Sequence, residues 1–191
     1  AWTNMYDFLT GGFKFEVKLN GKKKVLNEEE VRTLRMSKKA SERKLAFYTI
    51  ANKYKENIDL LLPCHKNIFK DHYLTTKRKN FSSPMQATNK GNDLPDSVVD
   101  LLFKVTSENF KLGHQYYKLK AKLLKKKILP VEDFLVPLFE SDKKLTFNEA
   151  KKMVIQAYSE FHPEVGSIIE IFFNEKTIDA ENRMNKRGGA F

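Results

Sequence analysis

The sequence predicts a mostly α protein, a multi-helix array with one small β-hairpin. Apolar residues recur at alternating spacings of three and four through most of the 191 residues, which puts them on one face of a helix. Period-two alternation is sustained only once, around residues 13–26. Asn27 with Glu30, and Thr146 with Glu149, read as capping boxes that open helices. A composition of 41% hydrophobic and 12% aromatic residues is that of a folded chain. The expected organisation is a single helical unit over 1–191.

The first element is a short helix in "AWTNMYDFLT", with Trp2, Met5, Tyr6 and Leu9 at helical spacing and Gly11-Gly12 closing it. The hairpin follows. Phe13, Phe15, Val17 and Leu19 alternate with polar residues up to Asn20-Gly21, a pair suited to a two-residue primed turn because both positions need positive φ. Asn27 then caps a short helix through Val31, Leu34 and Arg35. A longer helix carries Phe47, Ala51, Tyr54 and Ile58 on one face, and Pro63 is the expected joint to the helix after it, since proline disrupts a helix interior.

"NFSSPMQATNKGND" is polar and rich in turn formers, hence a loop. Leu94-Pro95-Asp96 opens what the pattern makes the longest helix, with Val98, Leu102, Val105, Leu112, Tyr116, Leu119 and Leu123 in phase, one gap at Asn109, and an end near Lys126. Pro130 and Pro137 bracket an irregular segment. Thr146 starts a helix through Met153, Val154, Ala157 and Phe161, and Pro163 starts another through Ile168, Ile169 and Phe172. The closing "KTIDAENRMNKRGGAF" has no helical pattern and fits an extended segment or strand.

The formal net charge is +11. Its lysines are spread over a hairpin and a helix end, where cations meet the negative end of the dipole, so the charge reads as a solvated basic surface. No nucleic-acid and no membrane partner is expected: the apolar runs "IDLLLP" and "VGSIIEIFF" are too short to span a bilayer. The start has no basic n-region and no cleavage site. A single cysteine, Cys64, excludes an internal disulfide and agrees with a cytoplasmic location.

No complete catalytic set emerges. Zinc hydrolysis on a helix needs two histidines one turn apart with a carboxylate beside them. His65 and His72 are two turns apart, too far to clasp one ion unaided, and His114 and His162 have no partner pattern. Cys64 reads as a core or helix-face thiol. Glu132-Asp133 and Asp179-Glu181 read as ordinary carboxylates near loops. No P-loop or dinucleotide fingerprint occurs, and Gly188-Gly189 is too short to cradle a phosphate alone, although Lys186-Arg187 would suit an anion.

The ending "IDAENRMNKRGGAF" has the look of internal sequence, so the chain is expected to be part of a longer one. This ending resembles the segment that precedes the zinc-binding HExxH helix in oligoendopeptidase F and its relatives in the thimet-oligopeptidase superfamily. Ile178, Asp179, Lys186, Arg187, Gly189, Ala190 and Phe191 match, while Asn185 stands where glycine is usual. The resemblance covers nearly the whole chain: "NGKKKVL"; "SERKLAF" as Arg-x-x-Ala-Phe; Arg78, Phe81 and Pro84 as R-x-x-Y-x-x-P; "YYKLKAKLL"; "DFLVPL"; and "LTFNEAKKMV" follow in the family's order.

The resemblance implies a parent zinc metalloendopeptidase that cuts short peptides in a channel between helical lobes, with this chain as an incomplete N-terminal portion of the catalytic domain. It would form a helical wall of the channel and expose an apolar face where the missing C-terminal catalytic portion docks. Zinc would belong to the parent, with no metal and no catalytic residue in this chain, which alone would be inactive. Lys186, Arg187, Gly188, Gly189, Ala190 and Phe191 are the substrate-channel candidates. The alternative is a non-enzymatic basic helical adaptor, or a nucleic-acid or anion-binding module, using Lys22–Lys24 and Lys125–Lys127.

Overall fold

A computed structural model of the chain describes residues 1–139, 145–184, 186 and 189. It is mostly α: among the described residues there are nine α-helices, one 3-10 turn and one two-stranded sheet. The chain forms two compact units, residues 1–138 with the described residues from Arg183 onward, and residues 139–182.

In the first unit α1 (Trp2–Gly11) leads into β1 (Phe15–Leu19) and β2 (Lys22–Leu26), paired antiparallel with Phe15 opposite Leu26 and Leu19 opposite Lys22. The turn carries positive φ at both Asn20 (49°) and Gly21 (80°), as the primed geometry requires. Phe15 and Val17 point inward and are buried, whereas Lys22, Lys23 and Lys24 of β2 are exposed, a charged edge that discourages further strand pairing. The core sits where this hairpin meets α2 (Glu28–Leu34) and α3 (Ala40–Glu56): Phe15, Val31 and Ala46 are fully buried, flanked by Phe13, Leu26, Leu34 and Ile50. Asn27 closes a capping box on α2, accepting from Glu30 N–H at 2.9 Å while the Glu30 carboxylate accepts from Asn27 N–H at 2.8 Å.

The next joint lies at Asn57 rather than at Pro63, which sits inside α4 (Ile58–Arg78). Losing one interior N–H there is tolerated because Leu61 and Cys64 on either side are buried and hold the helix in place. At 21 residues α4 is also the longest described helix, not the segment after Pro95. The polar stretch read as a loop contains α5 (Pro84–Gly91). Ser83 caps it, accepting from Gln86 N–H at 3.0 Å, with Pro84 at the first helical position. The segment after Pro95 is two helices, α6 (Asp96–Glu108) and α7 (Phe110–Leu123), broken at Asn109 (φ −104°, ψ 7°), whose side chain turns back to the Val105 carbonyl at 2.8 Å.

Helix α7 ends at Leu123, short of Lys126, in a Schellman motif: Lys126 N–H reaches Ala121 O at 2.8 Å, Lys125 N–H reaches Lys122 O at 3.0 Å, and Lys125 takes φ 55°. The same closure ends α4 at Asn80, α5 at Asp93 and α9 (Pro163–Asn174) at Lys176, all at φ between 53° and 54°. None of these four positions is glycine.

In the second unit α8 (Phe147–Phe161) packs against α9. Thr146 and Glu149 form the capping box of α8, and His162 caps α9 through Nδ1, which accepts from Glu164 N–H at 3.3 Å. Gly166 is the one buried residue of α9. From Thr177 to Met184 the described backbone forms neither helix nor strand.

Burial is thin. The chain exposes 15344 Å², against roughly 11,000 Å² for two separate compact units of these sizes. Helices α1, α6 and α8 contain no buried residue. The stripe of Val98, Leu102, Val105, Leu112, Tyr116 and Leu119, in phase as a core would be, is exposed throughout.

Candidate functional site

Of the six substrate-channel candidates, Lys186 and Gly189 are described; Arg187, Gly188, Ala190 and Phe191 lie outside the described residues. Both described residues line a cleft of about 470 Å³ in the first unit, shared with Tyr6, Asp7 and Thr10 of α1, Glu28, Glu29 and Arg32 of α2, and Tyr54 of α3. Gly189 has φ 102°, a region open to glycine and strained for other residues. A Cβ there would meet nothing within 4 Å, so the backbone requires the glycine and crowding does not.

The cleft is built on the start of α2. Glu28, Glu29 and Glu30 occupy its first turn, where carboxylates meet the positive end of the helix dipole. Glu28 accepts the Tyr54 hydroxyl at 2.9 Å and pairs with Arg32 one turn on, whose Nε lies 3.0 Å from the same carboxylate and 3.6 Å from Glu29. Burial and the neighbouring Tyr6 and Glu28 push the Tyr54 phenol far above its ordinary pKa, so it stays a neutral donor. Glu28 and Glu29 hold Arg32 protonated against the desolvation that would oppose it. The wall is therefore polar, carries both signs and is firmly hydrogen-bonded. Among the described residues it contains donors and acceptors for a peptide backbone but no serine, cysteine or histidine nucleophile.

The first unit also holds a buried ion cluster. Asp133, read from sequence as an ordinary loop carboxylate, is 0% exposed. Arg43 Nε binds its Oδ1 at 2.7 Å and Lys126 pairs with Oδ2. Burial alone would raise the Asp133 pKa; the hydrogen bonds and charges of Arg43 and Lys126 outweigh it and hold the carboxyl below the usual range. The other end of Arg43 donates to Ser37 O at 2.7 Å and Lys38 O at 2.9 Å. Arg43 thus ties the start of α3 to the 3-10 turn Val131–Asp133, 90 residues away. The arginine of "SERKLAF" and the aspartate of "DFLVPL" are partners. No local signal around either residue reveals this pairing.

Three of the four histidines have structural partners. His65 packs edge-on against Tyr6 with centroids 5.3 Å apart, His72 Nε2 lies 3.1 Å from Pro84 O, and His162 is the α9 cap. Cys64 is buried. Among the described residues no group of three or more His, Cys, Asp or Glu side chains could hold a metal ion. No described helix is long and apolar enough to cross a membrane. The lysine clusters lie on different elements, Lys22–Lys24 on β2 and Lys125–Lys127 just after α7.

The whole chain can now be set beside known proteins. No family model matches it. An oligoendopeptidase F homolog of Lactococcus lactis subsp. lactis is 26% identical over 159 residues, 83% of this chain and 26% of that protein. The chromosomal oligoendopeptidase F of Lactococcus lactis subsp. cremoris is 25% identical over 171 residues, 90% of this chain and 28% of that protein. The chain is similar to oligoendopeptidase F. It spans about a quarter of the length of these curated relatives. The crystal structure of a putative oligoendopeptidase F from Bacillus anthracis superposes with a TM-score of 0.80 over 98% of this chain and 35% of that one, at 15% identity. The two share a fold.

Proposed function

We propose that the chain is part of a zinc-dependent oligoendopeptidase, a cytoplasmic enzyme that hydrolyses short peptides, and that it supplies a helical wall of the substrate channel. The observation that carries this reading is sequence similarity to oligoendopeptidase F along 83% to 90% of the chain. The fold likeness accords with it. The described residues do not fit a catalytic zinc: they hold no cluster of three ligating side chains, and His65, His72 and His162 are engaged in packing, a hydrogen bond and a helix cap. In this reading the metal ligands and the general base are supplied by a part of the parent protein outside this chain. The excess apolar surface on α6 and α7 supports such a docking role.

In this reading Lys186 to Phe191 borders the channel, with Gly189 holding a backbone turn that no side chain obstructs. The experiment uses the protein that includes this chain and its continuation, with internally quenched short peptides as substrates. Gly189→Val is expected to raise KM while zinc content stays intact. Unchanged kinetics in a folded variant would remove the segment from the channel, and no cleavage by the parent protein would overturn the peptidase reading itself.

A further inference from the structure

A second concavity, of about 820 Å³, lies on the first unit between α7 and the chain that follows it. Tyr117 and Phe134, stacked 4.9 Å apart and 16° from parallel, form its apolar floor with buried Ala121 and half-buried Leu129, and Ile128 stands exposed at its edge. Lys118, Lys122, Lys125 and Lys127 also line it and are exposed. We propose that this groove docks an acidic polypeptide segment carrying apolar side chains between its carboxylates. The inference holds whether or not the parent protein cleaves peptides.

Charge complementarity chooses the occupant. Among the described residues no acidic side chain lines the groove. Asp133, adjacent in sequence to Phe134, is already engaged by Arg43 and Lys126. Among the described residues no ion pair engages the four rim lysines, so their charge is available to a partner. An apolar floor beneath them lowers the local dielectric and strengthens each pair that forms. The lysine stems can lie along the apolar surface while their ammonium groups reach the rim.

The groove has a fixed frame. Lys125 occupies the left-handed position of the Schellman closure, where glycine would be less strained. Lys126 is anchored to buried Asp133, and Lys120 Nζ holds the Phe134 carbonyl at 2.7 Å. The lysines of β2 offer the contrast: they stand on a two-stranded ribbon and line no part of this groove. A single-stranded nucleic acid is held by successive bases on open aromatic faces, and mutual stacking leaves Tyr117 and Phe134 at most one face each. A lipid headgroup surface is flat and would leave the concavity unfilled. A polypeptide supplies carboxylates and apolar side chains a few ångströms apart, matching rim and floor.

The test is fluorescence anisotropy on the 191-residue chain with three fluorescein-labelled peptides. One alternates glutamate with leucine and phenylalanine, one replaces each glutamate by lysine, and one replaces each apolar residue by glycine. The first is expected to bind at least about tenfold tighter than either control and to weaken with salt. Lys122→Glu with Lys127→Glu should weaken it about tenfold or more, and Lys22→Glu with Lys24→Glu should leave it unchanged. Should the groove variant lose its circular dichroism, the milder pair Lys122→Gln and Lys127→Gln takes its place, with a threefold loss expected. Equal binding of the three peptides, or equal weakening by the β2 variant, overturns the proposal. So does displacement by an oligonucleotide, or by phosphatidylcholine vesicles containing phosphatidylserine, at lower concentration than unlabelled peptide requires.

Discussion

Gly166→Ala and Gly113→Ala are the same substitution in two helices, and the structure gives them opposite signs. A Cβ on Gly166 would stand 2.8 Å from Ser159 Cα and 2.8 Å from its Cβ, with Oγ nearer still at 2.0 Å. The hydroxyl can rotate away; the backbone of α8 cannot. Restoring an ordinary carbon contact of about 3.5–4.0 Å means separating the helices by about 1 Å. With backbone atoms inside 3 Å the overpacking belongs to the upper part of its usual range, roughly 2–3 kcal/mol, against a gain of about 1 kcal/mol from replacing a helical glycine by alanine. Gly166→Ala should therefore destabilise the α8–α9 hairpin by about 1–2 kcal/mol, whereas Gly113, with nothing within 4 Å, should yield the gain alone. Hydrogen exchange read by mass spectrometry separates the two units. Peptides from Phe147–Phe161 and Pro163–Asn174 should exchange roughly 5–30-fold faster in Gly166→Ala, and those from α7 should slow in Gly113→Ala. Unchanged or slower exchange of α8 and α9 in Gly166→Ala would refute the close crossing.

Asp133→Asn leaves buried Arg43 without its counter-charge and should cost about 3 kcal/mol in urea unfolding at neutral pH. Because the folded Asp133 pKa is depressed, its contribution is present above the unfolded value of about 3.9 and lost as pH falls through the folded value. The gap between parent and variant should thus narrow below about pH 4; a gap that stays constant into acid would contradict the ion cluster. Lys176→Gly relieves a left-handed lysine at φ 54° and should stabilise α9 by up to about 1 kcal/mol, seen as slower exchange at its C-terminus. Faster exchange would count against the Schellman closure.

Features whose chemistry is local were legible in the sequence. Asn20-Gly21 needs only its own backbone to set a hairpin, and the Asn27/Glu30 and Thr146/Glu149 boxes close within four residues. Helix ends were harder because the usual signal, glycine in the left-handed position, is replaced by Asn80, Asp93, Lys125 and Lys176. The Ser83-Pro84 start of α5 was hidden in a stretch whose polarity suggested a loop, although serine before proline is itself a helix-opening pair. The cleft around Lys186 and Gly189 gathers residues from α1, α2 and α3, and the Arg43–Asp133 pair joins segments 90 residues apart. Only the folded chain brings these together. The apolar phase of α6 and α7 was legible, but its destination was not: periodicity shows that a face is apolar, not what covers it.

Zinc content and peptide cleavage, measured together on two preparations, bear most directly on the peptidase reading. One preparation is the 191-residue chain; the other is the complete product of the reading frame that encodes it. The expected result is no stoichiometric zinc and no cleavage in the first. The second should contain about one zinc per chain, as a single catalytic site requires, with short-peptide cleavage that a chelator abolishes. Stoichiometric zinc with cleavage by the 191-residue chain would contradict the assignment of the ligands elsewhere. A complete product with neither an HExxH helix nor activity would contradict the peptidase reading.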